Sequence, residues 1–121
     1  MGGRGAGAGF ATRIPGADKA YIPDKKVVNF LLDPEKKHYQ EFVAVGYSKE
    51  DPAKLKNDLL EGLKHNEAKI YATNEHGNTP IEVDMTLGVT VKKKFRTAWQ
   101  IDKGTDSPRF ITAHRIGGKQ K

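Results

Sequence analysis

Apolar residues in the first half of the chain recur at helical spacing, and turn-forming residues divide them into three segments. Asp24 is suited to cap a first, short helix whose apolar positions span residues 27–32. Pro34 ends that helix, because the residue before a proline avoids the helical region, and it can occupy the first turn of a second helix. The second helix is expected to run to about Val45 and to stop at Gly46.

The third predicted helix begins near Ser48 and runs to about His65. Ser48, with Asp51 three residues later, resembles a capping box with the shorter acid, and Pro52 is tolerated in a first helical turn. Four leucines fall on one face of this helix, with Lys and Asp on the other: Leu55, Leu59, Leu60 and Leu63. The pattern therefore predicts an amphipathic helix.

After these helices the apolar residues alternate with polar ones, which is the pattern of β-strands. Four strands are predicted, separated by turn residues: 69–73, 81–90, 94–101 and 110–116. Trp99 alternates in step with Phe95 and Ile101, which predicts a core position. Helices followed by sequential strands predict an α+β fold, with N-terminal helices on one face of a four-stranded antiparallel meander sheet. The other, polar face would stay open to water or ligand.

Composition at the two ends sets the domain boundaries. Residues 1–18 are rich in Gly and Ala and are interpreted as a flexible linker, and residues 117–121 form a basic tail. Residues 19–116 are then one folded domain. No signal peptide is recognisable, so any export is expected to depend on a longer protein. No apolar run could span a membrane, so no membrane partner is predicted for this domain.

The positive charge of the protein is concentrated in its last quarter. From Val91 to Lys121 there are nine Lys or Arg and two Asp, a net charge of +7, whereas residues 1–90 carry −1. A one-sided positive field attracts polyanions such as phosphate backbones. RNA is therefore the predicted partner, and the residues expected to bind it are Lys92, Lys93, Lys94, Arg109 and Arg115.

Acids and bases mixed on the open face of the sheet suit the cleavage of a phosphodiester. A carboxylate such as Glu82, or the neutral His38, can accept a proton from a ribose 2′-OH. His114 can protonate the leaving oxygen, while Lys26 or Arg96 stabilises the charge that develops on phosphorus. This route needs no metal and no cofactor, and an exposed sheet face without catalytic function remains the alternative interpretation.

No metal site is predicted. The chain has no cysteine, which also excludes disulfides and thiol nucleophiles. No two histidines have the spacing of a helical zinc site, and no third ligand is evident. His65, at a helix end, and His76, in a turn, are interpreted as structural or solvated.

The orientation of His114 is ambiguous from alternation alone. Strict alternation places it, together with Thr112, on the same side as Phe110 and Ile116. Either Arg115 points to the open face instead, or a β-bulge re-aims His114.

Five short stretches resemble a small uncharacterised domain family found at the C-terminal tips of bacterial polymorphic toxins and in phage-like proteins. The matching stretches are Ile22–Lys26, Phe30–Pro34, Phe42–Tyr47, Arg96–Trp99 and Ser107–Ala113. The element order is also similar to the barnase/EndoU/colicin/RelE-like RNase fold, which contact-dependent growth inhibition toxins use to cut tRNA. The resemblance places Lys26, Thr97, Arg109 and Thr112 on family motif positions and implies that Thr97 and Thr112 belong to the catalytic site. At His38 the family often has a lysine.

These observations predict a toxin domain that cleaves RNA, with tRNA as the substrate, by metal-independent acid–base transesterification. The resemblance implies delivery by a larger secreted protein, action in the target-cell cytoplasm, and neutralisation by a cognate immunity protein, which the charge predicts to be acidic. The alternative is a non-catalytic basic module that binds RNA or protein, including a phage accessory or immunity-type domain.

Overall fold

A computed structural model describes residues 9–11, 16–26, 33–36 and 38–116. The helices and strands follow in chain order: β1 Gly9–Ala11, a 3₁₀ turn Ala17–Lys19, α1 Asp24–Lys26, α2 Tyr39–Ala44, α3 Pro52–His65, β2 Ala68–Ile70, β3 Thr79–Leu87, β4 Lys93–Ile101 and β5 Pro108–Arg115. The predicted α+β fold is confirmed. The apolar run predicted for the first helix, residues 27–32, and the predicted tail, residues 117–121, lie outside the described residues.

The strands form one antiparallel sheet in the order β1-β2-β3-β4-β5. The four strands from β2 to β5 are the meander predicted by the alternation of apolar and polar residues. β1 joins the sheet beside β2, where Gly9 lies opposite Ile70 and Ala11 opposite Ala68. β1 lies within residues 1–18, which the composition predicts to be a linker, because three residues of Gly, Phe and Ala are too few to show alternation.

α2 is shorter than predicted and begins at Tyr39 instead of near Pro34. Asp33 is the reason, since it organises a separate turn before the helix. Its side chain accepts the backbone N–H of Glu35 at 3.0 Å, and its carbonyl accepts that of Lys36 at 2.9 Å. Asp side chains commonly stabilise turns in this way, in competition with a helix.

α3 begins at Pro52, and the capping box predicted at Ser48 is wrong. The Ser48 hydroxyl instead accepts the backbone N–H of Glu50 and contacts its carboxylate, which closes a short turn before the helix. Gly46 follows α2 as predicted, with a φ of 103° that residues with a side chain rarely adopt.

The core lies between the helices and one face of the sheet. Phe42 of α2 stacks on Phe95 of β4 with ring centroids 4.9 Å apart. α3 lies close against β3 at Gly62, where an added methyl group would overlap the side chain of Met85. Trp99 is buried, which confirms its predicted position. The other buried residues of α3 and β3 are Leu55, Leu59, Leu63, Ile81, Val83 and Leu87.

Tyr47 ties the loop between β3 and β4 to the helices. Its hydroxyl accepts the backbone N–H of Gly88 at 2.9 Å and donates to Asp58 of α3 at 2.7 Å. The Val45 carbonyl accepts two further N–H groups of this loop, from residues 89 and 90, at 2.7 and 3.0 Å. Burial, reinforced by Asp58, raises the pKa of the Tyr47 hydroxyl, so it stays protonated and continues to donate.

Replacing Tyr47 by Phe is expected to lower the free energy of unfolding by about 1 to 3 kcal/mol, because the buried N–H of Gly88 loses its acceptor. Urea denaturation of the wild type and the variant measures the difference. Tyr71→Phe is the matched control: Tyr71 is exposed, and the change should stay within about 0.5 kcal/mol. Equal losses in the two variants would contradict the anchoring role of Tyr47.

Candidate active site on the open sheet face

Three paired residues form a row across β3, β4 and β5. Asp84 lies opposite Arg96, and Arg96 lies opposite His114. Directly opposed residues of antiparallel strands project from the same face of a sheet. The neighbouring residues in β3 and β4 are buried against the helices, so this row lies on the open face.

A β-bulge in β5 gives His114 this orientation. Trp99 pairs with Phe110, whereas the residue before Trp99 pairs with Thr112, so Ile111 is an extra residue in β5. The bulge reverses the alternation, and Thr112 and His114 therefore lie on the face opposite to Phe110. Of the two arrangements that alternation left open, the one with a bulge is correct.

His114 is stacked against His38, which directly precedes α2. The two ring centroids are 5.6 Å apart, and the ring planes are inclined by 29°. Glu41 supports the pair from α2. One of its carboxylate oxygens, Oε2, lies 3.1 Å from His38 Nδ1, and the other accepts the backbone N–H of Arg115 at 2.8 Å. Glu41 thus joins His38 to the strand that carries His114.

The contact with Glu41 determines which nitrogen of His38 is available to a ligand. Because an ionised carboxylate only accepts hydrogen bonds, we infer that His38 Nδ1 carries a proton and donates a hydrogen bond to Glu41. In neutral His38 the other nitrogen, Nε2, is then an acceptor. The side chains of His38 and Glu41 are 23% and 31% exposed, which leaves the pair accessible at the surface.

Arg96 is held by two hydrogen bonds to Asp84. Its Nε and Nη2 atoms donate to the two carboxylate oxygens at 2.8 and 3.1 Å. These bonds lower the pKa of Asp84, so the pair stays ionised. Glu82 is a second, longer partner, with Oε1 at 3.8 Å from Arg96 Nε. The guanidinium is therefore fixed in orientation toward β3, while Arg96 itself lies opposite His114.

A cavity of about 420 Å³ adjoins Arg96 on the side away from His114. Its lining residues come from the end of α3 and from β2, β3 and β4, and they are Asn66, Glu67, Lys69, Glu82, Asp84 and Arg96. Next to it, the Tyr71 hydroxyl donates to Glu82 Oε1 over 3.4 Å, and Lys69 Nζ lies 5.7 Å from the centre of the Tyr71 ring.

The sequence profile of a protein family described as a domain of unknown function, DUF6883, matches residues 13–117 of the chain. The chain belongs to this family. No match was found among curated proteins or among solved structures. This match confirms that the chain belongs to an uncharacterised domain family, and the toxin and ribonuclease assignments remain predictions.

In this DUF6883 domain, Arg109 forms an ion pair with Asp102. Its Nε and Nη2 atoms donate to the carboxylate of Asp102 at 2.8 and 3.1 Å. Gln100 donates to the same carboxylate at 2.6 Å. The bonds from Arg109, and then that from Gln100, lower the pKa of Asp102 to about 2. The pair holds β5 to the β4–β5 turn, and the RNA-binding role of Arg109 stays a prediction.

This ion pair predicts a pH-dependent contribution to stability. The pKa of Asp102 lies below its ordinary value of 3.8 in the folded protein, so the stabilisation is complete above 3.8 and is lost as the pH falls toward about 2. Asp102→Asn should lower the free energy of unfolding by about 1 kcal/mol at neutral pH. The difference from the wild type should shrink across this acidic range. Urea denaturation at a series of pH values measures it.

Asp106 provides the control for that experiment. It pairs with Lys19, and the two side chains are 71% and 56% exposed, so Asp106→Asn should change stability little at any pH. A difference between the wild type and Asp102→Asn that is the same at acidic and neutral pH would contradict the assignment.

Three predicted catalytic residues remain, and they lie in different environments. Thr97 is buried on the helix side, where its hydroxyl donates to the Val83 carbonyl and accepts from Trp99 Nε1, each at 2.8 Å. Its catalytic role, implied by the family resemblance, is replaced by a structural one. Thr112 lies on the open face, because the bulge reverses the alternation of β5. Lys26 is half-buried at the end of α1.

The predicted RNA-binding lysines surround the start of β4. Lys94 lies opposite Thr86 on the open face, and Lys93 is exposed at the first position of the strand. Lys92, in the preceding loop, donates to the Gly88 carbonyl at 3.0 Å. Arg115 lies opposite Phe95, on the side of the sheet that faces the helices, and is half-buried.

The described residues hold neither a metal-binding cluster nor a membrane-spanning helix. No group of three or more His, Asp or Glu side chains in the described ranges is arranged to hold a metal ion. Within the same ranges, none of the helices has the length and apolar character needed to cross a membrane. His65 and His76 each lie near an exposed glutamate at the surface, away from the open-face row.

Proposed function

We propose that this domain is a toxin domain that cleaves RNA, with tRNA as its substrate class, by metal-independent acid–base transesterification. The observation that carries the proposal is the His38–His114 stack, with Glu41 bound to His38 and Arg96 opposite His114. Two imidazoles, a carboxylate that orients one of them and a fixed guanidinium are the groups this reaction needs.

His38 acts as the general base in this proposal. Its Nε2 accepts the proton of the ribose 2′-OH while the 2′ oxygen attacks the adjacent phosphorus. Glu41 keeps the proton of the neutral ring on Nδ1 and stabilises the imidazolium that forms, as the third member of a catalytic triad does. Glu82, the other base considered, is engaged by Tyr71 and lies near Arg96 and Lys69.

His114 acts as the general acid. It donates a proton to the 5′ oxygen as the bond from phosphorus to that oxygen breaks, which leaves a 2′,3′-cyclic phosphate and a free 5′-OH. Arg96 and Lys94, on the same face, lie where they can stabilise the charge on the pentacoordinate phosphorus. Because the rings of His38 and His114 are stacked, one phosphate can contact both.

The charge distribution supports an acidic partner as well as RNA. Lys92, Lys93 and Lys94 form an exposed positive edge beside the open face, and an acidic immunity protein that covers this edge would also block access to His114. In this proposal the domain is delivered by a larger secreted protein and acts in the cytoplasm of the target cell.

The test is inducible expression in a bacterial host, followed by electrophoresis of total RNA. Growth arrest with discrete tRNA fragments is expected, and the purified protein should give the same fragments with EDTA present. The 3′ fragment ends should carry 2′,3′-cyclic phosphate. If the purified protein binds RNA in a salt-dependent manner without cutting it, the proposal fails in favour of the non-catalytic binding module.

A further inference from the structure

The cavity beside Arg96 has a charge that does not suit phosphate. Its lining holds three carboxylates, Glu67, Glu82 and Asp84, against two cations, Lys69 and Arg96. His114, the proposed proton donor, lies on the other side of Arg96, on β5. A nucleotide bound across the sheet would therefore place its phosphate near His114 and its base in the cavity.

The dimensions agree with this placement. The cavity volume of about 420 Å³ is within the range of small-molecule sites, which is about 300 to 1,000 Å³. Glu82 is on β3 and His114 on β5, two strand spacings apart, or roughly 10 Å across the sheet. That separation is comparable with the distance from the phosphate of one nucleotide to the far edge of its base.

Tyr71 supplies an aromatic surface at the rim of the cavity. It is exposed, and its hydroxyl bonds to Glu82, which holds the ring beside the cavity. Unpaired bases of RNA are commonly bound by stacking on such aromatic rings. Lys69, 5.7 Å from the centre of the ring, can contact the phosphate or ribose of a neighbouring nucleotide.

The carboxylates differ in their availability. Both oxygens of Asp84 accept hydrogen bonds from Arg96, so this carboxylate is already engaged and is a poorer acceptor for a ligand. Among the described residues, Glu82 Oε1 accepts a long hydrogen bond from Tyr71 and lies 3.8 Å from Lys69 Nζ and from Arg96 Nε. Its carboxylate can accept two hydrogen bonds from a base that presents two adjacent N–H groups.

Guanine is the base with that pattern, since its N1–H and 2-amino group are adjacent donors on one edge. We infer that the cavity is a guanine-binding subsite, in which Glu82 accepts from these two groups and Tyr71 stacks on the ring. This inference rests on the proposed function, because it makes the cleaved RNA one with an unpaired guanine next to the scissile phosphate.

The test uses the four ribonucleoside 3′-monophosphates as probes, and binding to the wild-type domain is measured by isothermal titration calorimetry. The four share a phosphate, so differences in affinity report the base. Guanosine 3′-monophosphate should bind about 5- to 100-fold more tightly than the other three. Equal affinities, or a preference for cytidine or another base, would overturn the guanine assignment.

Two variants test which residues cause the preference for guanosine. Glu82→Gln should abolish the advantage of guanosine, because an amide presents only one acceptor, while the matched control Glu75→Gln, in an exposed turn, should keep it. Tyr71→Ala should weaken all four nucleotides by about 5- to 100-fold. An unchanged preference in folded Glu82→Gln would overturn the inference.

Binding and cleavage can fail separately in this design. A guanosine preference that depends on Glu82, in a protein that cuts no RNA, would keep the subsite and remove the ribonuclease proposal. Cleavage of RNA without any preference for guanosine among the mononucleotides would keep the ribonuclease proposal and remove the guanine subsite.

Discussion

Replacing His114 by Ala is expected to reduce RNA cleavage by about 10²- to 10⁴-fold, which is the usual cost of removing one partner of an acid–base pair. The substitution removes the proton donor for the leaving 5′ oxygen. His114 lies on the open face, outside the apolar core, so folding and RNA binding should persist. The measurements are the single-turnover cleavage rate on tRNA, the thermal midpoint of unfolding and growth after induction.

The other histidines provide matched controls for this experiment. The side chains of His65 and His76 are 72% and 74% exposed, and alanine at either position should leave cleavage at the wild-type rate. If His114→Ala cuts at the wild-type rate, its role as the acid is wrong. If cleavage by the wild type stops on addition of EDTA, metal-assisted chemistry replaces the acid–base route.

The fold was largely predictable because its signals are local. β3 alternates buried residues with partly or fully exposed ones from Pro80 to Leu87, which identifies a strand with one face in the core. Thr97 shows the reliability of this signal. Thr97 alternates in step with Phe95 and Trp99, and the structure buries it beside them. The family resemblance alone assigned it to catalysis.

The open-face row could be predicted only in part, because its geometry depends on strand register. Alternation indicated that Glu82, Asp84 and Arg96 share a face. The pairing of Asp84 with Arg96, and of Arg109 with Asp102, depends on turn lengths, and that of Arg96 with His114 depends also on the bulge at Ile111. A bulge adds one residue without changing the apolar content of a strand, so its position leaves no distinct pattern in the sequence.

Glu41 was missed, although a weak signal for it exists. It lies three residues after His38, a spacing that places two side chains on the same side of a helix. The second contact, from the N–H of Arg115 to Glu41, joins positions 74 residues apart and is not visible in the sequence. Only the fold shows that one carboxylate connects the proposed base to the strand of the proposed acid.

Replacing Glu41 by Gln is expected to reduce cleavage on the order of 10²-fold while preserving the fold. The Gln carbonyl oxygen can still accept the N–H of Arg115, so its NH₂ group must face His38 Nδ1. An NH₂ group only donates, so neutral His38 then has to carry its proton on Nε2, the atom proposed to accept from the 2′-OH. Cleavage should fall mainly through kcat, since the RNA-binding lysines are unchanged.

A signature specific to this positioning role is the tautomer of His38, which the ¹⁵N chemical shifts of its ring report. In the wild type the neutral ring should carry its proton on Nδ1, and in Glu41→Gln on Nε2. Glu41→Ala is the comparison, because it also removes the acceptor for Arg115 and should lower the melting temperature, which Glu41→Gln should not. If Glu41→Gln changes the His38 tautomer but leaves kcat intact, His38 is not the general base; if neither changes, Glu41 only holds β5 in place.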